Sequence, residues 1–500
     1  KLAGKLDAQL AQQVSTPQTT EQDETPRVIP SFAQYCVCGA LQLGTYITLT
    51  VGLVAAIVSG VQWAHVAIND PYQLYQRVLL CMAGFVVASV RAPVLAKRHL
   101  VRRWKTGAFE IWSIDYFRFW FVKLLFDSSP AHLLAGTPLY NLWLRLLGAR
   151  IGRHAVILSK APVTTDLFSV GPGSIIREHT MILGYRARNN VIETGTISIG
   201  TDAYVGTGSH LDIDTIIEDG GQLAHSSTLQ EGQKIAAGKH YHGTPAEETP
   251  TNFNTVKSRR CSSLRRWLYG GLLATANLLL LPIPIMFLFY SYFMLRTYSG
   301  AENLDYDSFS DVVVALAPTG MWLSFMIYFS MIVVGLVTVQ IVSTVFNAML
   351  RTNRTYVLFG FHYIVQRLLQ SLTNWGYMNL LFGDSSYIPN YLKHVGWNIT
   401  PGKQTGSNFG LDQVHDNPYL CHVGANSMVS DGIVMSNIKL SATSFTLADV
   451  KIGADNYLGN AIVMPAGNRT GDNVLIGTKT MVPIDGPLRE NTGLLGSPAF

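Results

Sequence analysis

The sequence has 500 residues, of which 48% are hydrophobic and only 14% are charged. Soluble globular domains carry about 25% charged residues, so this composition excludes an ordinary soluble protein and favours a membrane protein with more than one domain. The formal net charge of +5 comes from short basic segments beside apolar runs, a pattern that excludes an extended nucleic-acid-binding surface.

Residues 1–30 are predicted to form a linker. The first residues read KLAGKLDAQLAQQ, without an initial methionine, and the polar stretch QVSTPQTTEQDETPR follows. A segment rich in Pro, Thr and charged residues is typical of an extended tether. We therefore expect the chain to be a fragment of a longer polypeptide with a further domain upstream.

Four long segments contain no charged residue, namely Tyr35 to Ile68, Val78 to Val90, Leu268 to Leu295 and Met321 to Leu350. A helix needs about 20 apolar residues to cross the hydrocarbon core of a bilayer. Three of the segments are long enough, and the short second one continues to Leu95 after Arg91. The pattern predicts two pairs of transmembrane helices, at residues 31–96 and 267–350.

An aromatic and basic stretch follows each predicted pair, KTGAFEIWSIDYFRFWFVKLL after the first and RTYVLFGFHYIVQRLLQSL after the second. Trp, Tyr and Arg favour the headgroup level, so residues 97–138 and 351–390 are predicted to be interfacial amphipathic helices. The stretches GTPLYNLWLRLLGARIGRH and GDSSYIPNYLKHVGWNITPGK then correspond to each other. The chain is therefore predicted to be an internal duplication.

Aliphatic side chains recur at every sixth position in one part of the chain, at Ile199, Val205, Leu211, Ile217, Leu223, Leu229 and Ile235. Neither the helix period of 3.6 nor the strand period of 2 accounts for this spacing. A left-handed parallel β-helix does, because each coil has three faces of about six residues with aliphatic side chains pointing inward. A second series occupies Ile452, Leu458, Met464, Ile476 and Val482, with Thr470 as a polar exception and Val423, Val429 and Met435 upstream in a shifted phase.

The predicted fold class is a membrane protein in which transmembrane helices alternate with two cytoplasmic left-handed parallel β-helix (hexapeptide-repeat) domains. The β-helices are expected at residues 139–250 and 391–500, with a basic linker at 251–266 after the first. The basic segments KRHLVRRWK and KSRRCSSLRR each carry five Lys or Arg, whereas the loops NDPYQLYQ and AENLDYDSFSD carry none. The positive-inside rule then places the N-terminus and both β-helices in the cytoplasm.

Both β-helices would be fixed to one membrane face by matching helices. We therefore expect them to pack against each other, within one chain or across a homo-oligomer, with a functional site where they meet. The five cysteines, two of them at Cys36 and Cys38 in the first span, indicate no disulfide framework.

Three stretches carry a family resemblance: LGYRARNNVIETGTISIGTDAYVGTGSHLDIDT, GKHYHGTPAE and RTGDNVLIGTKTMVPIDGPLRENTGLLGSPAF. From about Phe32 to Phe500 the chain resembles the membrane-bound C-terminal region of nonribosomal-peptide-synthetase-like enzymes of the ε-poly-L-lysine synthetase type. The resemblance implies an upstream adenylation domain that activates an amino acid and a carrier domain that holds it as a thioester on 4'-phosphopantetheine. The family is described with six spans and three soluble domains, so this chain departs from it with about four spans and two β-helices.

Amide formation from a thioester requires a base that takes a proton from the attacking amine and donors that stabilise the oxyanion. A His bonded to an acid is a suitable oriented base. His and Asp residues cluster in both β-helices, and the catalytic candidates are His210 paired with Asp212, His225, and His415 paired with Asp431. The alternative is that these side chains only decorate the corners of the coils.

The segment MILGYRARNN interrupts the hexads and is predicted to leave the coil as a loop. Tyr185, Arg186 and Arg188 would then lie at a rim, where Arg is suited to the phosphate of a phosphopantetheine arm; a merely solvated loop is the alternative. The other candidates for binding substrate or the arm are Asp214, Asn408, His422 and Asn460. No His or Cys spacing matches a zinc motif, so no bound metal is expected.

The predicted function is amide-bond formation by the membrane module of an amino-acid homopolymer synthetase. The predicted partners are the lipid bilayer, the upstream carrier and adenylation domains, the aminoacyl thioester and an amine or peptide acceptor, with no nucleic acid. Two alternatives remain: a hexapeptide-repeat acyltransferase for another small amine or a sugar, and a non-catalytic scaffold or exporter. An exporter of a cationic product would need polar or charged groups within its spans.

Overall fold

The computed structural model describes residues 28–298, 309–383, 385–400 and 409–500. The first two long helices are α1 (Phe32–His65) and α2 (Pro71–Ala96). Ser31 starts α1 with a capping box, in which its hydroxyl accepts from the backbone of Gln34 while the Gln34 side chain accepts from the backbone of Ser31. Such a cap satisfies donors that the first helical turn leaves free.

The segment after α2 forms a strand and two short helices, β1 (Gly107–Glu110), α3 (Ile114–Asp127) and α4 (Pro138–Leu146). Helix α3 buries Phe119, Val122 and Phe126, whose spacing of three and four residues places them on one face. Helix α4 begins after Thr137, whose hydroxyl accepts from the backbone of Tyr140, and it spans the predicted domain boundary at residue 139.

The first β-helix begins at Arg150 and consists of short parallel strands joined by turns. Its strands are β2 (Arg150–Ile151), β3 (Val156–Ile157), β4 (Phe168–Val170), β5 (Ile175–Ile176), β6 (Met181–Ile182), β7 (Tyr185–Arg188), β8 (Val191–Thr194), β9 (Ile197–Ile199), β10 (Tyr204–Val205), β11 (His210–Leu211), β12 (Thr215–Ile217), β13 (Gln222–Leu223), β14 (Thr228–Leu229), β15 (Lys234–Ile235), β16 (His240–His242) and β17 (Glu247–Thr249). Tyr204 pairs with Gln222 and Gln222 with His240, so a regular coil has 18 residues. All seven residues of the first hexad series are buried, which confirms the inward-facing positions predicted from the sequence.

The interruption of the hexads is a β-hairpin, and the prediction of a loop there was wrong. Strands β7 and β8 pair antiparallel, and β8 also pairs with β1 of the preceding segment. The extended polar backbone thereby finds partners outside the coil, and Ile192 of β8 is buried. The hairpin ties the β-helix to the segment that follows α2.

The second set of long helices comprises α5 (Ser263–Leu280), α6 (Pro282–Tyr298) and α7 (Phe309–Ala348). Within the described ranges, four segments are long and apolar enough to cross a membrane: Phe32–His65, Pro71–Val101, Ser263–Ser291 and Gly320–Ala348. Their apolar side chains are mostly unburied within the chain, as lipid-facing side chains are.

The second copy repeats the same order of elements. After α7 come β18 (Thr355–Val357), α8 (Phe361–Thr373), α9 (Gly376–Phe382) and α10 (Ile388–Val395). The strands of the second β-helix are β19 (Val414–His415), β20 (Cys421–Val423), β21 (Met428–Val429), β22 (Val434–Met435), β23 (Ile438–Leu440), β24 (Ser444–Leu447), β25 (Val450–Ile452), β26 (Tyr457–Leu458), β27 (Val463–Met464), β28 (Val474–Ile476) and β29 (Thr492–Leu494). Thr470, the polar exception of the second series, is buried with its hydroxyl accepting from Gly453 and Asn456.

The sheet order makes the duplication explicit. The order β1, β8, β7 in the first copy corresponds to β18, β24, β23 in the second. Val205 pairs with Ile176 and Leu458 pairs with Val429, so the coil that carries the hairpin spans 29 residues in both copies.

The two β-helices pack against each other within the one chain, as the sequence predicted. Side chains of the second hairpin, among them Ile438, Leu440 and Phe445, form a buried cluster with Ile175 and Tyr204 of the first β-helix. Tyr356 and Tyr363 of the preceding segment join the same cluster. We call this contact region the interface.

Candidate active site between the two β-helices

His225 lies in the interface and is held by both β-helices. In the neighbouring coil stands Gly206, where a Cβ atom would come 2.4 Å from the backbone nitrogen of His225. The absence of a side chain there allows the two coils to stack closely. The His225 side chain is 7% exposed, and its Nε2 lies 2.9 Å from the carbonyl oxygen of Val482 in the second β-helix.

This contact fixes the tautomer of the neutral ring. A carbonyl oxygen only accepts, so Nε2 carries the hydrogen and Nδ1 carries the lone pair. Burial lowers the pKa of His225 to about 4, and the hydrogen bond to Val482 offsets only part of that effect. The imidazole is therefore neutral at physiological pH and has the form required of a proton acceptor.

His225 borders a cavity of about 350 Å³. The first β-helix contributes Tyr204 and Thr207, and the linker after it contributes residues 251–253 and Thr255. The second β-helix contributes, among others, Lys439, Val463, Pro465, Asn468 and Asp485. The cavity is thus built by both copies together, and neither β-helix forms it alone.

Asn468 and Lys439 bring polar groups to this cavity. Asn468 donates from Nδ2 to the carbonyl of Pro483 at 2.6 Å, while its buried Oδ1 has no hydrogen-bond partner within the described ranges. Lys439 forms no ion pair with any residue that the structure describes. The cavity therefore offers an unused acceptor and an unneutralised ammonium group.

Arg177, which also lines this cavity, forms a buried ion pair. Arg177 contacts Glu178 at 2.9 Å and donates across the interface to the carbonyl of Ile438, also at 2.9 Å. Arg367 of α8 approaches the same Glu178 at 3.6 Å. Burial alone would raise the pKa of Glu178, but the two guanidinium groups hold that pKa below its ordinary value.

Asp416 extends this ionic cluster into the second β-helix. Its carboxylate accepts from the backbone of Asn437 and Ile438 and from the side chains of Ser436 and Gln370. Burial, followed by the charge of Glu178, raises the pKa of Asp416 to about 6. The cluster joins β-helix 1, α8 and β-helix 2 at one point.

Glu178 and Arg367 border a second, larger cavity of about 850 Å³. Lys123 and Asp127 at the end of α3 and Lys160 line it too, with Asp127 bridging the two lysines at 2.6 and 2.8 Å. The ionic cluster therefore borders both polar cavities.

The predicted pairing of His210 with Asp212 is wrong. Asp212 accepts from the backbone of Ile213 and lies 3.7 Å from a guanidinium nitrogen of Arg186. His210 is half-buried, with its backbone beside Thr228. Burial and then the nearby Lys479 lower the pKa of His210.

The predicted pairing of His415 with Asp431 is also wrong. His415 is buried, its Nδ1 accepts from the indole of Trp397 at 3.3 Å, and its Nε2 lies 2.9 Å from the hydroxyl of Thr373. Burial lowers the pKa of His415 to about 3. Asp431 is exposed, so these two residues have different environments.

The remaining predicted binding residues are scattered. Tyr185 lines the larger cavity, whereas Arg186 is occupied by the carboxylates of Glu193 and Glu231 as well as Asp212. Asp214 caps the neighbouring coil by accepting from Thr196. His422 contacts Asn398, Arg188 and Asn460 are exposed, and Asn408 lies outside the described residues.

Of the predicted candidates, His225 alone lines the interface cavity. Sequence reasoning missed the ionic cluster of Arg177, Glu178, Arg367 and Asp416. One signal for it was available, because REHT places two charged residues directly after the inward-facing Ile176. Within the described ranges, no group of three His, Cys, Asp or Glu side chains is arranged to hold a metal ion.

The chain is similar in part to known proteins. No family model matches the chain. It is 23% identical to the delta-poly-L-ornithine synthetase of Acinetobacter baumannii (strain AB307-0294), in an alignment that covers 84% of this chain and 31% of that protein. The chain therefore spans about a third of the length of this relative.

Two solved structures give partial matches to the chain. The maltose O-acetyltransferase from Clostridium difficile 630 is 12% identical over 24% of this chain and 80% of its own, with a TM-score of 0.18. Soybean serine acetyltransferase complexed with serine is 17% identical over 36% of this chain and 76% of its own, with a TM-score of 0.16. In sequence, the chain is similar to part of a poly-amino-acid synthetase.

Proposed function

We propose that the chain forms amide bonds in the interface cavity, transferring an aminoacyl group from a carrier-bound thioester to an amine. The observation that carries the proposal is the neutral His225, whose proton-bearing Nε2 is fixed by Val482. A base with a fixed tautomer beside a cavity is the arrangement that general-base catalysis needs.

The reaction requires two proton transfers, one to His225 and one from it. The amine nitrogen adds to the thioester carbon, and Nδ1 of His225 accepts the proton that the nitrogen loses as the C–N bond forms. The C–S bond then breaks and the thiolate takes that proton. The oxyanion formed in between would be stabilised by the ammonium of Lys439 and the hydroxyl of Thr207, both of which line the cavity.

The residues present fit a phosphopantetheine arm as the carrier of the thioester. The buried Oδ1 of Asn468 has no partner within the described part of the chain, and an unsatisfied buried acceptor is costly. An amide N–H of the arm would satisfy it. The arm would supply the acyl group in thioester form, and this chain's residues would position it.

We further propose that the substrate is a basic amino acid, since the relative from Acinetobacter is named for poly-ornithine; an ε-poly-L-lysine type of product would use the same chemistry. The four long apolar helices are proposed to cross a bilayer. The two β-helices share an interface, so they would lie on one side of it, and the flanking basic segments support the proposal that this side faces the cytoplasm.

The proposal is tested by incubating the detergent-purified chain with ornithyl-pantetheine and free ornithine, and by measuring amide product by mass spectrometry. Product is expected from the wild type, strongly reduced in Ala466→Trp, which fills the interface cavity, and unchanged in Ala237→Trp, which lies on an exposed turn. A wild type without product, or one that acylates only a sugar supplied in place of ornithine, would overturn the proposal.

A further inference from the structure

A separate basic cavity of about 310 Å³ lies beside the first turn of α5. It is bordered by α4, by the first coil of the first β-helix and by α5, and its charged lining residues are Arg145, Arg153 and Arg266. No Asp or Glu lies among the described residues around it. The cavity is thus a concentration of positive charge without a carboxylate.

The hydrogen bonds of these arginines do not neutralise their charge. Arg145 donates to the carbonyls of Ile151 and Gly152. Arg266 donates to the carbonyls of His154 and Ala442. Arg153 is exposed, and none of the three guanidinium groups has an ion-pair partner in the described ranges.

Arg266 is the strongest indication of a missing anion. The residue is only 3% exposed, and its Nε has no hydrogen-bond acceptor among the described residues. The guanidinium group also interacts with the side chain of Cys261, whose thiol donates to the carbonyl of Leu358. The ring of Phe359 lies 5.2 Å from the guanidinium carbon. A buried cation without a counter-charge is costly, so it indicates a ligand that supplies one.

Asn141 and His154 indicate further properties of that ligand. Asn141 is buried, and its Oδ1 has no partner within the described chain while its Nδ2 donates to Ala155. This acceptor requires a donor on the same ligand. Burial, and then the charges of Arg266 and Arg153, lower the pKa of His154, whose Nε2 lies 2.8 Å from the hydroxyl of Ser263.

We infer that this cavity binds a phosphate group that also carries a hydroxyl, and that the headgroup of an anionic lipid such as phosphatidylglycerol supplies it. Arg groups match phosphate oxygens in geometry and charge, and the hydroxyl would satisfy Asn141. The inference rests on the membrane insertion proposed above. Leu264, Trp267 and Leu268, on the same two turns of α5 as the cavity, are exposed, as expected of an apolar and aromatic surface at the level of lipid headgroups.

The test uses the 500-residue chain purified in a maltoside detergent, with native mass spectrometry to measure retained lipid. Phosphatidylglycerol and phosphatidylcholine are compared, and inorganic phosphate is tested separately by its effect on the melting temperature. The variant is Arg153→Gln, because Arg153 is exposed and its side chain makes no hydrogen bond to any residue that the structure describes, so the substitution should not impair folding. Arg150→Gln is the matched control, since Arg150 is an exposed arginine outside the cavity.

Phosphatidylglycerol is expected to be retained in preference to phosphatidylcholine. Its affinity should be about 10-fold weaker in Arg153→Gln, because one charge-assisted contact is lost. Its affinity should be unchanged in Arg150→Gln. Stabilisation by inorganic phosphate that depends on Arg153, without preference for phosphatidylglycerol, would assign the same phosphate site to a soluble ligand. Equal behaviour of both variants, or no binding of lipid or phosphate, would overturn the inference. Lipid retention is measured without turnover, so its failure is distinct from a failure of the proposed catalysis.

Discussion

Nε2 of His225 in the first β-helix lies 2.9 Å from the carbonyl oxygen of Val482 in the second. One copy of the duplicated unit therefore supplies the imidazole, and the other copy orients it. Neighbouring bonds reinforce the same junction, since Ser497 donates to the carbonyl of Ser226 and Thr244 donates to the carbonyl of Ser497. The candidate site at the interface therefore depends on both copies of the duplicated unit.

Removing Arg177 is expected to destabilise the interface. In Arg177→Leu the carboxylates of Glu178 and Asp416 remain buried with less compensation, and breaking a buried pair in this way costs about 3–5 kcal/mol. Arg186→Leu is the control, because its carboxylate contacts are half-exposed and worth about 1 kcal/mol or less. Equal melting temperatures of the two variants would show that the ionic cluster does not stabilise the interface.

Phe445→Ala is expected to weaken the apolar part of the interface. Phe445 is fully buried and its ring packs on those of Tyr356 and Tyr363 at 5.4 and 5.7 Å. Truncation of a buried Phe costs about 3–5 kcal/mol, whereas Leu475→Ala, at a side chain that is 44% exposed, should cost about 0.5 kcal/mol. Denaturant unfolding followed by Trp fluorescence measures both, and a similar small loss in each would contradict the packing described.

Acid should destabilise the protein partly through His415. The pKa of His415 is about 3 in the folded chain and about 6.5 when unfolded. The unfolded state therefore binds more protons, and stability is lost as the pH falls from about 6.5 toward about 3. The melting temperature of His415→Gln should fall less than that of the wild type between about pH 7 and about pH 4. Parallel losses in both proteins would exclude this contribution.

The pH dependence of catalysis should reflect the lowered pKa of His225. With a hydrazide as a weakly basic nucleophile, the rate should be independent of pH until it falls near about pH 4, where His225 becomes protonated. The fall comes on the acid side because the neutral ring is the active form. An inflection near about 6.5, the ordinary value for His, would mean that another, solvated base acts.

Much of the fold was predictable because β-helix positions repeat with a fixed period. Val205, Leu211 and Leu223 are fully buried, as their spacing of six required. The pairing of the Val191–Thr194 strand with Gly107–Glu110 was not predictable in the same way, since the two strands lie far apart in sequence. Local spacing carries no information about such a distant pairing.

The site was less predictable than the fold. His225 was identified from its cluster, but its orienting group is a backbone carbonyl of Val482, and every residue has a carbonyl. The expected carboxylate partners failed for a related reason: proximity in sequence does not determine side-chain contacts, and Asp212 contacts the backbone of Ile213 and Arg186. Contacts between the two copies depend on how the β-helices dock, which the repeats do not specify.

The most direct test of the proposed active site is single-turnover amide formation by His225→Gln. In this variant the side-chain NH₂ can still donate to Val482, but no basic lone pair remains. His240→Ala serves as the control, because His240 lies in the adjoining coil outside the interface cavity. We expect His225→Gln to lose about 10²- to 10⁴-fold in rate with its melting temperature nearly unchanged. We expect His240→Ala to remain as active as the wild type. A folded His225→Gln protein that forms amide at the wild-type rate would contradict the assignment of the interface cavity as the active site.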